Sequence, residues 1–511
     1  MGLGRTRSVG LHGVDGFLVE VEADIASGLP AFTVSGRADA ACAQAPDRVK
    51  AAAANSGHPL AQRRVTVNLS PASVPKIGSG FDLAIVVAAL AAEGRVPGRL
   101  VEQVVHLGEL GLDGSVRSVR GVLPAVIAAA RAGVRHVVVP VANAAEARLV
   151  DGMQVHPVAW LGELVARYRL LATGRPVPPV EESVLPVPVD PVLPDLADVV
   201  GQPEARLALE IAAAGAHHLY LVGPPGAGKS MLAERLPSLL PSLDERQSME
   251  VTAIASIVGV GRVDRLITRP PFVAPHHGAS AVALVGGGSG VVQPGAITQA
   301  HGGVLFLDEA AEFKPGVLQT LRQPLESGHV TVARALGSFR YPCQFQLVLA
   351  ANPCPCGMFS GKGAACSCSV VARRSYLTRI AGPLMDRVDI QVHVPAPSRA
   401  ALVGGAGESS DVVAARVREA RAVQAGRWRG RPYAVNGRVP GPELRRSPWR
   451  LPDQRTHEID RAIDRGQLSL RGYDRCLRLA WTIADLGGRS SPTRDDVGLA
   501  LSLRQQTELA A

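Results

Sequence analysis

The segment LYLVGPPGAGKSMLAERL, residues 219–236, restricts the fold of this chain more than any other stretch. Its first four residues are apolar and predict a buried strand. The pattern G-x-x-x-x-G-K-S follows, and a helix is predicted after it. A glycine-rich loop of this pattern between a strand and a helix is a phosphate-binding loop. We therefore predict an α/β fold with a parallel sheet and a nucleotide site at the end of the strand.

Each part of the loop has a predicted role in binding ATP with Mg²⁺. The glycines let backbone N–H groups close around phosphate oxygens, and the helix N-terminus adds its partial positive charge. The lysine reaches the β- and γ-phosphates, and the serine ligates Mg²⁺. The predicted nucleotide-binding residues are Gly223, Pro224, Pro225, Gly226, Ala227, Gly228, Lys229 and Ser230.

Two further strand ends supply polar groups suited to the same site. In GGVLFLDEA, Asp308 and Glu309 follow four apolar residues, and in FQLVLAAN, Asn352 follows another apolar run. Parallel strands bring such ends to one edge of a sheet. We predict that Asp308 contacts Mg²⁺ and that Glu309 is the catalytic base that orients the attacking water. Asn352 is predicted to hold that water as well; the alternative is an ordinary turn residue.

Two adjacent histidines, His276 and His277, precede the acidic strand. Neighbouring side chains on extended backbone point to opposite sides, which argues against a metal ion shared by the pair. We expect both histidines to be structural or to position the segment that follows them.

At 511 residues the chain is too long for one ordinary core. Residues 1–172 mix short β-rich runs with alanine-rich helical stretches, which indicates an α+β domain. Residues 173–195 form a proline-rich linker. Strands alternate with helices over 196–400, and the pattern is mainly helical over 401–511. We predict an ATPase core in the third segment and a helical domain in the fourth.

The net charge of +9 is unevenly distributed, and residues 416–450 contain ten arginines against two acidic residues. Basic segments favour polyanions through counterion release. A solvated helical face explains the same charge equally well. Neither a membrane-spanning apolar run nor a secretion signal is found in the sequence, so we expect a cytoplasmic protein without a membrane partner.

Four of the seven cysteines form two Cys-x-Cys pairs: Cys354, Cys356, Cys366 and Cys368. Thiols stay reduced in the cytosol, so clustered cysteines there indicate a metal site more than disulfides. Four thiolates can close a tetrahedral Zn²⁺ site, although these pairs are tighter than the common Cys-x₂-Cys form. The alternative is four packed thiols without a metal, because cysteine also packs as a small apolar residue.

Several longer motifs carry a resemblance to a known family. They are RPPFVAPHHGASAVALVGGGSGVVQPGAITQAHGGVLFLDEAAEF (269–313), CQFQLVLAANPCPCG, YLTRIAGPLMDRVDI and LSLRGYDRCLRLAWTIADL. They resemble the magnesium-chelatase-related branch of the AAA+ ATPases, in particular the ComM/YifB family, over essentially the whole chain. The resemblance implies a P-loop AAA+ module with a helical lid. It also implies a homo-oligomeric ring, usually a hexamer, in which a neighbour completes each site.

The resemblance further implies roles for two arginines and two insertions. Arg387 in MDRVDI matches the arginine supplied to a neighbour's γ-phosphate, and Arg471 in LSLRGYDR matches the lid arginine called sensor 2. Arg379 and Arg475 are the alternatives for these roles. Residues 283–298 correspond to the helix-2 insert. The stretch GHVTVARALGSFRYPCQFQLV, with a Leu-Gly-Ser turn, corresponds to the hairpin before sensor 1, and related ring motors use such elements to grip DNA in the pore.

The N-terminal segments 65–85 and 108–140 resemble the proteolytic domain of Lon proteases, which has a ribosomal S5 domain 2-like α+β fold. In this alignment the catalytic Ser falls on Gly80 and the catalytic Lys on Leu123. Neither residue can attack a carbonyl or take a proton. Ser79 lies one position away and has no obvious base. We therefore predict a Lon-like domain without protease activity.

Together these features predict an ATP-hydrolysing, ring-forming AAA+ motor on branched or single-stranded DNA, acting as a helicase or in branch migration of recombination intermediates. The alternative is a chelatase-type motor subunit that remodels a protein partner for metal insertion. An ATP-dependent protease is a weaker interpretation because the Lon dyad is missing. A nucleotide-gated scaffold is weaker because Glu309 and Asn352 are present.

Overall fold

A computed structural model of the chain describes residues 2–178, 192–259, 261, 263–288, 292–334, 337–359, 365–380, 382, 384–396 and 407–505. We call residues 2–178 the N-terminal unit, 192–396 the central unit and 407–505 the C-terminal unit. Much of the predicted linker and three residues of the predicted helix-2 insert lie outside the described residues. The predicted α/β fold class is confirmed, because both large sheets pack against helices.

The N-terminal unit is a mixed seven-stranded sheet covered by helices. Its strands are β1 (Gly2–His12), β2 (Asp15–Ala26), β3 (Ala31–Ser35), β4 (Arg64–Ser70), β5 (Val104–His106), β6 (Glu109–Leu110), β7 (Val116–Arg117), β8 (His136–Pro140) and β9 (Gln154–Val158). Its helices are α1 (Ala40–Ala43), α2 (Ala45–Asn55), α3 (Asp82–Ala92), α4 (Gly98–Val101), α5 (Val122–Arg131), α6 (Ala144–Ala147) and α7 (Leu161–Ala172). Seven of these nine strands form the large sheet, in the order β3-β4-β2-β1-β5-β8-β9. Alternate residues of β2 from Val19 to Ile25 are buried, which places one face of this strand on the core.

The central unit is a five-stranded parallel sheet with helices around it. Its strands are β10 (Leu219–Val222), β11 (Phe272–Val273), β12 (Gly286–Gly287), β13 (Gln293–Pro294), β14 (Val304–Leu307), β15 (His329–Arg334), β16 (Gly337–Pro342), β17 (Gln346–Ala351) and β18 (Ile390–His393). Its helices are α8 (Pro203–Gly215), α9 (Lys229–Leu239), α10 (Glu245–Val258), α11 (Ala281–Val285), α12 (Ala296–Gln299), α13 (Pro315–Gln319), α14 (Arg322–Ser327) and α15 (Val370–Thr378). Five of these nine strands form the large sheet, in the order β11-β14-β17-β10-β18. Each neighbouring pair in it is parallel. The carboxyl ends of β14, β17 and β10 therefore lie side by side.

The C-terminal unit is a group of helices packed on α8 and α9. They are α16 (Ser410–Arg427), α17 (Gly441–Leu444), α18 (Asp453–Asp464), α19 (Leu470–Leu486) and α20 (Arg494–Gln505). Short 3₁₀ helices occur along the chain at Val141–Asn143, Leu196–Asp198, Ala310–Glu312, Met385–Arg387 and Asn436–Arg438. Of the helices that the structure describes, none has both the length and the hydropathy that crossing a membrane requires.

The hairpin before β17 differs from the predicted one in its turn. Strands β15 and β16 are antiparallel, with His329 opposite Pro342 and Arg334 opposite Gly337. The predicted Leu-Gly-Ser turn is wrong, because its Gly and Ser already pair within β16. Its leucine, residue 336, lies outside the described residues.

The N-terminal unit contacts the central unit at this hairpin and at α10. The ring of His12, at the turn between β1 and β2, stacks on the buried Phe339 of β16 with centroids 4.6 Å apart. The backbone N–H of Gly121 donates to the carbonyl of Ser256 in α10 over 3.1 Å. The hairpin that the resemblance places at a ring pore thus packs, at Phe339, on the N-terminal unit of its own chain.

Candidate functional site

The loop of residues 223–230 joins β10 to α9, whose first residue is Lys229. Gly226 and Gly228 have φ angles of +74° and +88°. This left-handed backbone carries no steric cost for glycine, which has no Cβ. The sequence therefore allows the loop to turn back sharply over the end of the sheet, where its backbone N–H groups can face a phosphate.

The ammonium group of Lys229 is buried within the loop. Lys229 Nζ donates to the carbonyls of Gly223 (2.7 Å) and Pro224 (3.0 Å). It also donates to Oδ1 of Asn352 (3.1 Å), the first residue after β17. Burial lowers the pKa of Lys229, while the two carboxylates that follow β14 oppose this shift. The loop lysine and the predicted sensor residue are therefore in direct contact.

A hydroxyl and a carboxylate that suit Mg²⁺ are also in contact. Ser230 Oγ donates to Asp308 Oδ2 over 2.6 Å and joins the first turn of α9 to the end of β14. Mg²⁺ binds oxygen ligands, and P-loop enzymes hold it with the loop hydroxyl and an aspartate at a strand end. These two residues therefore fit the magnesium ion of a bound nucleotide.

The predicted base, Glu309, has an uncommon backbone conformation, with φ of +49°. Its backbone N–H donates to Asp308 Oδ1 over 2.8 Å, and its side chain is 52% exposed. One of its oxygens, Oε2, lies 2.9 Å from His277 Nδ1. The carboxylate is therefore open to solvent and is held by a histidine.

The adjacent histidines do not point to opposite sides as expected. Their ring centroids lie 4.1 Å apart, and His277 begins a turn after β11. The turn reaches Glu309 because β11 is the neighbour of β14, with Phe272 beside Val304. Sequence analysis missed this contact. The one local signal was the pair Phe272 and Val273, the strand that places the histidines, and a strand of two residues is too short to be recognised from sequence.

The predicted trans arginine, Arg387, ends the 3₁₀ helix Met385–Arg387, and its side chain is 9% exposed. Its guanidinium forms an ion pair with Glu326 of α14. The alternative, Arg379, is about half exposed and lies 3.8 Å from Glu312. A role for either arginine at a neighbour's nucleotide stays a prediction.

The two candidate lid arginines lie one turn apart in α19 and differ in environment. Arg471 is exposed. Arg475 forms an ion pair with the buried Asp389, and its Nε donates to the carbonyl of Asp386 over 2.6 Å. Burial opposes ionisation of Asp389, but Arg475 and two nearby histidines hold the pKa of this carboxyl well below its usual value. Arg475 thus fastens the C-terminal unit to the segment that carries Arg387.

The four clustered cysteines are close enough to share one metal ion. The sulfur of Cys354 lies 3.4 Å from that of Cys356 and 3.7 Å from that of Cys366. With Cys368, all four sulfurs lie within 4.8 Å of one another, and this is the one such group of potential metal ligands in the described part of the chain. A tetrahedron of Zn–S bonds of about 2.3 Å has sulfurs about 3.8 Å apart. The cluster therefore fits a tetrahedral metal site.

The clustered thiols also differ chemically from the isolated ones. A hydrogen bond from the Met358 backbone N–H, with another from Cys354, lowers the pKa of Cys356 to about 6. The pKa of Cys354 is raised, mainly by burial, and that of Cys368 is raised as well. Burial raises the pKa of the three isolated thiols to about 12: Cys42, Cys343 and Cys476. The thiolate is the form that binds metals, so Cys356 is the clustered thiol most ready to ligate one.

The positions that match the Lon dyad have other contacts. Leu123, at the position of the lysine, is fully buried in α5. Ser79 Oγ donates to Oε2 of Glu109, a partner that sequence analysis missed. Lys76, three residues before Ser79, is buried and donates to the carbonyl of Pro71. Ser79 and Lys76 therefore have separate hydrogen-bond partners and do not form a dyad with each other.

Three family models match the chain in succession. The model described as "Subunit ChlI of Mg-chelatase" matches residues 21–143, "Magnesium chelatase, subunit ChlI" matches 195–402, and "Magnesium chelatase, subunit ChlI C-terminal" matches 407–504. The phosphate-binding loop, the acidic strand end, Asn352 and all four clustered cysteines fall within the second match.

Relatives of nearly the same length narrow the family. An uncharacterised protein of Mycobacterium tuberculosis (strain H37Rv) is 51% identical over 506 residues, 99% of each chain. Competence protein ComM of Haemophilus influenzae is 37% identical over 504 residues, 97% of this chain and 96% of ComM. YifB of Escherichia coli (strain K12) is 37% identical over 498 residues, 96% of this chain and 95% of YifB. The resemblance seen in the motifs is confirmed, and the chain belongs to the ComM/YifB family of magnesium-chelatase-like AAA+ proteins.

Proposed function

We propose that this AAA+ protein is an ATP-hydrolysing ring motor that acts on DNA, as a helicase or in branch migration of recombination intermediates. The observation that carries the ATPase part is the convergence of polar groups at the carboxyl ends of β10, β14 and β17. There Lys229 contacts Asn352, and Ser230 contacts Asp308. Glu309 follows directly on the same edge. These are the groups that phosphoryl transfer to water requires.

In the proposed reaction, ATP with Mg²⁺ binds on the loop 223–230. Lys229 turns from the loop carbonyls to the β- and γ-phosphates, and Ser230 and Asp308 hold the metal ion. Glu309 orients a water and accepts its proton. The water oxygen bonds to the γ-phosphorus while the bond from that phosphorus to the bridging oxygen breaks, which yields ADP and phosphate.

A neighbouring subunit completes the proposed site, which makes the working form a homo-oligomeric ring, with a hexamer as the proposed size. Arg387 of one subunit exchanges Glu326 for the γ-phosphate of the next and stabilises charge in the transition state. Arg471 in the lid contacts the nucleotide phosphates, since its exposed position leaves it open to a ligand. Asn352 positions the attacking water together with Glu309.

The DNA part of the proposal rests on the kinship with a competence protein and not on the basic segment 416–450. Most arginines of this segment contact acidic side chains, an amide oxygen or a carbonyl within the chain. The pairs are Arg416 with Glu210 and Glu408, Arg421 with Ala213, Arg427 with Asp485, Arg431 with Glu443, Arg438 with Gln344, Arg445 with Asp474 and Arg450 with Asp453. Much of that charge is therefore engaged within the chain, in part with the central unit.

Forked or four-way DNA is expected to stimulate the ATPase, and the stimulation is expected to weaken as salt rises, because binding to phosphates releases counterions. The measurement is phosphate release with and without DNA at about 50 and 200 mM salt. Linear duplex of equal length is the control for structure preference. A rate that ignores DNA at both salt concentrations would contradict the DNA motor and favour the chelatase-type alternative.

We propose that the N-terminal unit acts without peptidase chemistry, as a collar that extends or stabilises the ring. The position of the Lon lysine holds Leu123, a fully buried apolar residue that cannot act as a base. The partner of Ser79 is Glu109, so Ser79 has no lysine to activate it as the Lon serine has. The stacking of His12 on Phe339 supports a mechanical connection between this unit and the hairpin.

We propose Zn²⁺ as the metal of the four-cysteine cluster, since four thiolates in a tetrahedral arrangement are the structural zinc site of many proteins. The purified, reduced protein is expected to contain about one zinc per chain. The double variant Cys354→Ser with Cys356→Ser is expected to lose it, and Cys343→Ser is expected to keep it. Elemental analysis measures all three. A wild-type protein without zinc would contradict the assignment.

A further inference from the structure

The four-cysteine cluster borders the nucleotide site, and we infer that the metal bound there controls how tightly the phosphate-binding loop holds ATP. The inference rests on the proposed ATP and zinc sites. The first cysteine, Cys354, comes two residues after Asn352, whose side chain accepts a hydrogen bond from Lys229. Cys354 is therefore joined through Pro353 and the side chain of Asn352 to the lysine of the phosphate-binding loop.

A second contact is made by Gly357, the residue after the first cysteine pair. Its backbone N–H donates to the carbonyl of Cys354 over 2.9 Å, which closes a tight turn. Its φ is +76°, and a Cβ atom at this position would lie only 2.7 Å from both Cγ and Cδ of Pro225. The ring of Pro225 is stiff and belongs to the phosphate-binding loop. Only glycine therefore allows the turn to lie directly on that loop.

The geometry of the cluster explains why a metal would fix this contact. The second pair, Cys366 and Cys368, immediately precedes Ser369, whose hydroxyl caps α15 by accepting from the N–H of Ala372. A metal that binds all four thiolates ties the start of α15 to the turn 354–357. Without the metal, only weak contacts between thiols hold the two cysteine pairs together, so the turn can leave the phosphate-binding loop more readily.

Pro225 and the following glycine are exposed on the outer side of the phosphate-binding loop, so the turn at Gly357 supports a part of the loop that is otherwise open. The loop must hold its backbone N–H groups around the phosphates when ATP binds. A loop that is ordered beforehand loses less conformational freedom on binding, and its affinity is higher. Removal of the metal is therefore expected to weaken ATP binding although no cysteine touches the nucleotide.

The test measures zinc content and ATP affinity on the same samples of full-length protein. Gly357→Ala keeps all four thiols, so it is expected to retain zinc, yet to bind a fluorescent ATP analogue with Mg²⁺ about tenfold more weakly, because alanine disfavours this backbone and clashes with Pro225. Gly316→Ala is the matched control, because no atom lies within 4 Å of a Cβ there. It is expected to change neither quantity.

Wild-type protein stripped of zinc and dialysed into Mg²⁺ is expected to show the same weakened binding and to recover it when Zn²⁺ is added back. Unchanged affinity after zinc removal would overturn the inference, as would unchanged affinity in Gly357→Ala. Absence of zinc from the wild-type protein would overturn it as well. Wild-type protein that holds zinc but binds no ATP analogue would overturn the proposed nucleotide site itself, so the two failures are distinguishable.

Discussion

Glu309→Gln is expected to bind ATP with wild-type affinity and to hydrolyse it about 10²–10⁴-fold more slowly, because glutamine cannot accept the proton of the attacking water. The side chain is 52% exposed and follows Asp308, the proposed magnesium ligand, so the substitution removes a charge without opening a cavity. Phosphate release under saturating ATP measures kcat, and a fluorescent ATP analogue measures affinity. Slow hydrolysis should also trap the ATP-bound assembly.

Two comparisons make this prediction specific. Glu234→Gln removes an exposed carboxylate from α9, the helix that follows the phosphate-binding loop, and is expected to leave kcat unchanged. Lys229→Ala removes the buried ammonium group and is expected to abolish nucleotide binding itself. Wild-type hydrolysis by Glu309→Gln would show that another group is the base.

Arg387→Ala is expected to lower kcat by about 10³-fold or more while each subunit still binds ATP, because in the proposed ring this arginine acts on the nucleotide of the neighbouring subunit. Mixing Arg387→Ala with Glu309→Gln subunits is then expected to restore activity. In such mixed rings, the nucleotide site of an Arg387→Ala subunit still has Glu309, and a neighbouring Glu309→Gln subunit can supply Arg387 to it. Random mixing at equal amounts makes about one quarter of the interfaces complete. Neither variant alone should approach that rate.

The controls use the surroundings of Arg387. Arg322→Ala changes an exposed arginine of α14, the helix that carries Glu326, and is expected to have no effect on kcat. Arg379→Ala tests the alternative arginine in the same assay. Thermal unfolding of each variant shows whether loss of the ion pair between the buried Arg387 and the exposed Glu326 destabilises the chain. Loss of activity that mixing does not restore would show that Arg387 acts within its own subunit.

The parts of the site that could be predicted from sequence depend on residues near one another in the chain. The strand, glycines and helix around Lys229 specify the phosphate-binding loop locally. The ends of β17 and β14 reach the same edge because each of these strands pairs in parallel with its neighbour in the sheet. The contact between His277 and Glu309 depends instead on β11, a strand of two residues. Such a strand is too short for alternation or an apolar run to be recognised.

Charge was the least reliable guide, because the sequence does not show which arginines have partners. Arg416 contacts Glu210, which is 206 residues away, and Arg475 reaches Asp389 across two units. Ser79 and Glu109 are 30 residues apart and meet only when the N-terminal unit folds. Each of these pairs is long-range, and composition alone gives the same net charge whether an arginine faces solvent or a carboxylate.

The packing of the hairpin on the N-terminal unit limits how this protein can be divided into fragments. Val14 and Ile77 pack against the apolar cluster that contains Phe339 and Tyr341. A fragment that begins at residue 192 would uncover the part of this cluster that the N-terminal unit covers, and a bare apolar patch promotes self-association. Fragments made for crystallography or electron microscopy are then expected to aggregate through this surface. Polar substitutions at the hairpin would be needed before the association of such a fragment could be attributed to the proposed ring.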